Sequence, residues 1–156
     1  MLKKLQKPNS EGFTIIEVMI VLAIAALILL IVLLAVPALQ RNSRNTAIKN
    51  DASSIVAAVG EFSSNNDGAI PSGSNQSGST VNLTGASGDT PATAKVQSNT
   101  TVQNGTAPDG PGIIDIEFQK KCSADNGFAT TDSPRSTAVL YYIETSNDKA
   151  PQCVDS

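Results

Sequence analysis

A run of 24 residues, 13–36, contains 22 apolar side chains and constrains the fold more than any other part of the sequence. Only Thr14 and Glu17 interrupt it. As an α-helix rising about 1.5 Å per residue, the run would be roughly 36 Å long, enough to cross a hydrocarbon layer about 30 Å thick. The sequence therefore predicts a membrane-spanning helix with one carboxylate near its start.

Three interpretations of this run differ in what happens to the helix after it enters the membrane. A removable signal peptide has an apolar core of about 7 to 15 residues and a small-residue cleavage site, whereas this run is longer and leads into Pro37. An ordinary single-pass anchor has no need of Glu17, because a carboxylate costs about 2.5 to 3.5 kcal/mol at the bilayer centre and asks for a partner. The presence of Glu17 therefore favours the third interpretation, a helix that is stored in the membrane and used elsewhere. The alternative is that Glu17 has no function and is tolerated because it lies near the end of the span.

The residues before the run carry a second signal. Residues 1–12, MLKKLQKPNSEG, contain three lysines and end in a glycine that directly precedes Phe13. This short basic leader, followed by Gly12 and the sequence FTIIE, closely resembles the class III signal peptide of type IV prepilins. The resemblance implies that a membrane prepilin peptidase cleaves between Gly12 and Phe13, removes residues 1–12 and N-methylates the new Phe13 amine.

The same resemblance gives Glu17 a role. In type IV pilins the carboxylate at this place neutralises the N-terminal amine of a neighbouring subunit, here the amine of Phe13. Leaving either charge unpaired in an apolar core costs about 3 to 5 kcal/mol. Glu17 and Phe13 are therefore expected to set the axial register of a homopolymeric filament whose core is built from residues 13–36.

Charge and composition exclude several classes of function. The formal charge is −3, and removing residues 1–12 with their net charge of +2 leaves −5, so no basic nucleic-acid surface is expected. The chain has no histidine and only two cysteines, which excludes imidazole catalysis and histidine-containing metal sites. We therefore expect no enzyme activity and no cofactor.

The lysines also predict an orientation and a location. Positive residues beside a membrane span stay in the cytoplasm, which places everything after Pro37 outside. The precursor is expected in the cytoplasmic (inner) membrane and the mature protein in an extracellular filament. By resemblance, a pilus assembly ATPase and a platform protein would drive its extraction from the membrane.

Residues 37–66 are predicted to continue the helix as an amphipathic segment. Pro37 removes a helical hydrogen bond and is expected to kink the helix. Beyond it, a single helical face is formed by apolar residues at spacings of four and three, and a stop follows at residues 65–68. That face consists of Ile48, Ala52, Ile55, Val59 and Phe62. Asp51 is predicted off the face, and Arg41 and Arg44 either meet acidic groups of adjacent subunits or stay solvated.

Residues 67–156 are predicted to form a globular head in two parts. Residues 67–112 are rich in Ser, Thr, Asn and Gly and predict a connecting loop region, in which Val81, Leu83 and Val102 are candidates for edge strands. Residues 113–156 are predicted to hold the main β-structure. By resemblance, the first part corresponds to the variable connecting region of pilins.

The clearest strands lie at 113–118 and 137–145, with a turn at 126–127 and a further strand at 128–131. The second of these strands is apolar on both faces at 140–142. Asp115 and Glu117 alternate with apolar residues, which places them on the solvent face of their strand rather than in a catalytic pair. We expect one antiparallel sheet of three or four strands covering the apolar helix face.

Cys122 and Cys153 enclose 30 intervening residues. Outside the cytoplasm such a pair is expected to be oxidised, with two reduced cysteines as the alternative on a reducing surface. Their placement resembles the disulfide-bounded C-terminal region of type IV pilins.

Together these features predict an α+β, type IV pilin-like fold in which a long N-terminal helix packs on a small antiparallel sheet. The predicted function is that of a type IV pilin, and the sequence does not separate adhesion, twitching motility and DNA uptake. A type II secretion pseudopilin and a non-polymerising, membrane-tethered binding module are the alternatives.

Overall fold

The computed structural model describes residues 12–123, 127–128, 130–146 and 148–156. These residues divide into two compact units, one that ends at Ala38 and one that begins at Leu39. Helix α1 is followed by seven strands in the described part of the chain. Their bounds are α1 Ile15–Asn65, β1 Gly73–Ser77, β2 Thr80–Thr84, β3 Ala92–Lys95, β4 Thr101–Asn104, β5 Ile113–Cys122, β6 Thr130–Glu144 and β7 Lys149–Asp155. The predicted α+β class, with a long N-terminal helix packed on β-sheets, is confirmed.

The predicted apolar face of α1 packs into the core of the head. All five of its members are buried, and they pack with apolar side chains of both sheets; they are Ile48, Ala52, Ile55, Val59 and Phe62. Asp51 was predicted off this face, and that prediction is wrong, because Asp51 is buried as well. Its Oδ2 accepts hydrogen bonds from the Thr100 hydroxyl at 2.5 Å and from the Gln97 amide at 3.1 Å, which replace the water that the carboxylate loses.

The end of α1 follows the predicted stop. The Gly68 amide donates to the Ser63 carbonyl at 2.8 Å, the six-residue hydrogen bond of a Schellman-type helix end. Asp67 takes the left-handed conformation that this end requires, with φ of 52°. The helix therefore ends through local backbone geometry that the Asn-Asp-Gly sequence favours.

The first sheet lies where a loop-rich region was predicted. It is antiparallel, with the strand order β1-β2-β3. Val81 and Leu83 lie on β2 and are fully buried. They form part of the central strand rather than an edge strand, because β3 pairs with the other side of β2. Alternating small residues, Ala92 and Ala94, make β3 too weakly apolar to stand out in the sequence.

The second sheet has the order β4-β5-β6-β7. The strands predicted at 113–118 and 137–145 correspond to β5 and β6, and residues 137–141 are buried, so that both faces of β6 are covered there. The structure differs from the single antiparallel sheet that was predicted, because β4 pairs with β5 in parallel. Asn126 of the predicted turn lies outside the described residues, and β6 begins at Thr130, after Phe128.

Strand β7 was not predicted. It is the edge strand of the second sheet and pairs antiparallel with β6, with Pro151 opposite Tyr142. Because proline has no N–H to donate to a strand ladder, a segment that contains it is not readily predicted as a strand. An edge strand tolerates proline, since only one of its sides is paired.

Side-chain amides join the two sheets between β1 and β4. The Gln76 carboxamide donates to the Thr100 carbonyl at 2.6 Å and accepts from the Val102 amide at 2.7 Å, the two bonds that a neighbouring strand would make. Beside it, the Asn104 carboxamide donates to the Ser74 carbonyl at 2.9 Å. The two sheets are therefore continuous through side chains rather than through a backbone ladder.

The outer face of the second sheet is covered, contrary to the prediction that Asp115 lies on a solvent face. Asp115 is fully buried and Leu140, its partner on β6, is buried with it. The hairpin of β5 and β6 folds back over this face: the Thr130 hydroxyl donates to Glu117 at 2.5 Å, and the Phe128 and Tyr142 rings meet edge to face at 4.6 Å. A β-bulge between Phe118 and Lys120, with Gln119 at φ 57°, provides the bend.

Candidate functional site at the start of the helix

The first turn of α1 is organised by Thr14 and Glu17. The Glu17 amide donates to the Thr14 hydroxyl at 3.3 Å, and the Val18 amide donates to the Thr14 carbonyl at the same distance. Thr14 is therefore the N-cap, and the sequence Thr-Ile-Ile-Glu has the spacing of a capping box. Glu17 places a negative charge in the first turn, where the helix dipole favours it.

Gly12 and Phe13 precede this cap and are open to a partner. Phe13 is 82% exposed, and nothing lies within 4 Å of the place where a Cβ on Gly12 would be. Both residues lie outside the helix, which begins at Ile15. Gly12 and Phe13 therefore lie in an exposed, non-helical segment directly before the cap.

The helix that follows is apolar around its whole circumference. Every residue from 12 to 40 is exposed, and the large apolar side chains of this segment range from 39% exposed at Val36 to 83% at Ile15. A helix that is apolar all round is stable in lipid or among other helices, not in water. By length and composition, α1 is suited to cross a membrane.

The sequence of this segment matches a known family over residues 7–33, and the family is described as a prokaryotic N-terminal methylation motif. The chain carries this methylation motif. The match supports a class III signal peptide and a type IV pilin-like prepilin, and with the apolar helix it indicates a membrane-anchored precursor. No match was found among curated proteins or among solved structures.

The methylation motif contains three of the residues that were singled out from the sequence. Gly12, Phe13 and Glu17 lie together at the start of α1, within the matched range. Cleavage between Gly12 and Phe13, methylation of Phe13 and the register role of Glu17 stay predictions. Pro37 lies inside α1, which continues on both sides of it, so the kink also stays a prediction.

Cys122 and Cys153 form a disulfide in the head, with their Cα atoms 5.8 Å apart. The bridge links β5 to β7 across β6, because Cys153 pairs with Leu140 and Cys122 with Thr130. It therefore holds the folded-back hairpin on the outer face of the sheet.

Arg44 is bound within its own chain. Its guanidinium makes two hydrogen bonds to the Glu144 carboxylate, at 2.7 and 2.6 Å. This pair lowers the pKa of Glu144, chiefly through the hydrogen bond, and raises the pKa of Arg44 for the same reason. Arg44 thus has an acidic partner in its own chain. For Arg41, contact with acidic groups of adjacent subunits stays a prediction.

No local pattern in the sequence predicts a further set of contacts between α1 and the head, made by two asparagines. The Asn45 carboxamide donates to the Glu144 carbonyl and accepts from the Glu144 amide, each at 2.7 Å. Asn66 pairs in the same way with Thr90, at 2.9 and 2.7 Å. These asparagines fix the helix to the end of β6 and to the loop before β3.

In the part of the chain that the structure describes, no group of three or more His, Cys, Asp or Glu residues is placed to hold a metal ion. The N-terminal motif combines a capped helix start, one carboxylate in the first turn and an exposed apolar helix.

Proposed function

We propose that this protein is a type IV pilin, which polymerises through residues 13–36 into a bacterial surface filament. The observation that carries the proposal is the methylation motif at residues 7–33, which includes the start of a helix whose apolar side chains are exposed all round. Such a surface needs lipid before assembly and other helices after it. A filament core of parallel helices supplies the second environment.

Processing creates the charge that Glu17 requires. When a prepilin peptidase cleaves after Gly12, the Phe13 amine becomes a cation at the start of an apolar helix. Glu17 lies in the first turn of that helix. A neighbouring subunit whose Phe13 amine reaches Glu17 removes two unpaired charges from the core at once, which selects one axial stagger over others.

The precursor is inserted with its lysine-rich leader in the cytoplasm, as positive residues beside a span dictate. An assembly ATPase and a platform protein then move the cleaved subunit out of the membrane into the filament. The head remains on the filament surface, where adhesion, motility or DNA uptake would depend on it.

The test replaces Glu17 with Ala in cells that express the assembly system. We expect Glu17→Ala protein to be inserted and cleaved but to yield at least tenfold less sheared filament, since a tenfold change needs only about 1.4 kcal/mol per contact. Glu61→Ala is the matched control, because Glu61 is an exposed carboxylate on the same helix, in the head. Normal filament yield from Glu17→Ala would contradict the register role.

N-terminal sequencing and intact mass of the sheared protein separate the competing functions. A chain that begins with N-methylated Phe13 in long surface filaments supports a pilin. The same processed chain without surface filaments supports a type II secretion pseudopilin. A chain that still begins at Met1 and stays in the membrane fraction supports the tethered binding module.

A further inference from the structure

The connection between β4 and β5, residues 105–112, crosses the outer face of the second sheet, and we call it the strap. Parallel strands need a crossover, usually of a dozen or more residues with a helix, whereas this one has eight residues and no helix. It is fixed by hydrogen bonds from the Gly105 amide to the Ile116 carbonyl at 3.3 Å and from the Gln103 side chain to the Thr106 carbonyl at 2.6 Å. Within the strap, Pro108 is buried.

Asp115 lies under the strap. Its Oδ1 accepts a hydrogen bond from the Thr106 amide at 3.0 Å, so the carboxyl joins the sheet to the strap directly. Its Oδ2 is buried and has no hydrogen-bond partner among the residues that the structure describes. An ionised carboxylate in this place is removed from water and accepts fewer hydrogen bonds than it could. Both effects raise the free energy of the ionised form.

Among the described residues, no basic side chain forms a salt bridge with Asp115. Its partners across the sheet, Gln103 on β4 and Leu140 on β6, are uncharged. Glu117, two residues along β5, adds a like charge, and the β7 residue paired with Leu140 is Cys153, which is held in the disulfide. Lys149 lies farther along β7, opposite Glu144, and binds the Asp109 carbonyl on the strap at 2.9 Å. Burial raises the pKa of the Asp115 carboxyl to about 6, with Glu117 adding to the rise and the amides of Thr106 and Gly105 opposing it.

We propose that the strap is a proton-sensitive cover: protonation of Asp115 holds residues 105–112 on the sheet, and ionisation loosens them. The closed strap stabilises the neutral carboxyl, whereas an open strap exposes the ionised carboxylate to water. The closed state is therefore favoured by acid and weakens as pH rises through the neutral range. Opening would expose the buried outer face around Leu140.

The size of the effect follows from linkage. The pKa of Asp115 is about 6 with the strap closed, and an open strap returns it towards the ordinary value of 3.8. Because the closed state binds the proton more tightly, the opening equilibrium constant rises about tenfold between pH 5 and pH 7. Closure of the strap is most favourable below pH 3.8, the ordinary pKa of the carboxyl, and weakens as the pH rises through about 6.

The experiment uses the full chain in detergent micelles, labelled for NMR. The carboxyl carbon of Asp115 is titrated from pH 3 to pH 8, and hydrogen exchange at the Thr106 amide is measured at pH 5 and pH 7 and corrected for intrinsic exchange. We expect a midpoint near pH 6 and about tenfold lower protection of Thr106 at pH 7. The Val139 amide, in the core strand β6, should stay more protected than Thr106 at both pH values.

Two variants separate Asp115 from other carboxylates. Asp115→Asn should make protection of Thr106 independent of pH, whereas Asp109→Asn, an exposed position on the strap, should leave the tenfold change intact. Should Asp115→Asn fail to fold, the titration of the unmodified chain decides. A midpoint near pH 4, constant Thr106 protection, or equal protection of Thr106 and Val139 would each overturn the proposal.

Discussion

The side chain of Asn45 and the backbone of Glu144 exchange two hydrogen bonds of 2.7 Å each, so a carboxamide on the helix takes the place of a strand residue beside β6. The same arrangement recurs between Asn66 and Thr90. In each case the amide supplies one donor and one acceptor at the spacing of a peptide group. The helix is therefore attached to the head at two points by bonds that depend on the side chain being an amide.

Asn45→Asp tests this dependence with almost no change of shape. The new carboxylate can still accept from the Glu144 amide, but it places a negative oxygen against the Glu144 carbonyl. We expect a loss of about 1 to 3 kcal/mol in the free energy of unfolding of the head, measured by urea-dependent proteolysis of the full chain in micelles. Asn42→Asp, exposed on the same helix, is the control and should change the value by less than about 0.5 kcal/mol.

Asp51 connects the buried helix face to the segment before β4. Asp51→Ala would leave the buried Thr100 hydroxyl without its acceptor, so we expect a loss of about 1 to 3 kcal/mol in the same assay. Asp51→Asn keeps an acceptor oxygen and should lose less. Ser53→Ala, two residues along the helix and exposed, provides the reference. Equal stability of the Ala and Asn variants would show that the hydrogen bond contributes nothing.

Gly85 lies against the ring of Phe62. A Cβ at position 85 would come within 2.6 Å of Phe62 Cζ, and the ring is fully buried. Since a close-packed core cannot absorb this overlap without strain, Gly85→Ala should destabilise the head by about 1 to 3 kcal/mol. Gly110→Ala meets nothing within 4 Å and serves as the control. A difference of less than 0.5 kcal/mol between the two variants would contradict the packing argument.

The disulfide between Cys122 and Cys153 should contribute substantially to the head. Its sequence separation of 31 corresponds to about 3 to 4 kcal/mol in the loop-entropy model. We expect the Cys122→Ser, Cys153→Ser double variant to unfold at a clearly lower urea concentration than the oxidised chain. Dithiothreitol should shift the unmodified chain to the same midpoint and leave the double variant unchanged. An unchanged midpoint for the unmodified chain would contradict the prediction.

Local sequence patterns predicted the elements whose structure depends on local periodicity. The five apolar residues of the helix face, Ile48 to Phe62, repeat at helical spacing, and the core of β6 is a run of apolar residues. Both signals are local, so one sequence suffices to see them. The start of α1 was predicted for the same reason, because the apolar run begins at Phe13, two residues before the first residue of the helix, Ile15.

The remaining features depend on contacts between distant residues. Asp115 alternates with isoleucines as a solvent-facing residue would, and only the folded-back hairpin and the strap bury it. In the sequence, Asn45 looks like a polar residue on a helix surface, and Gln76 and Asn104 lie in the predicted loop region. Their amides nevertheless replace backbone pairing between residues up to 99 positions apart. No local pattern distinguishes such an amide from one that faces water.

Pro151 on the edge strand β7 has a consequence for molecules held close together. An exposed edge offers unpaired donors and acceptors to the strand of another copy, which is a common route to aggregation. Pro151 lacks the donor that such pairing would need, and Lys149 and Asp155 place charges at the two ends of the strand. Pairing of β7 with the edge strand of a second copy is therefore disfavoured, even where copies are concentrated side by side.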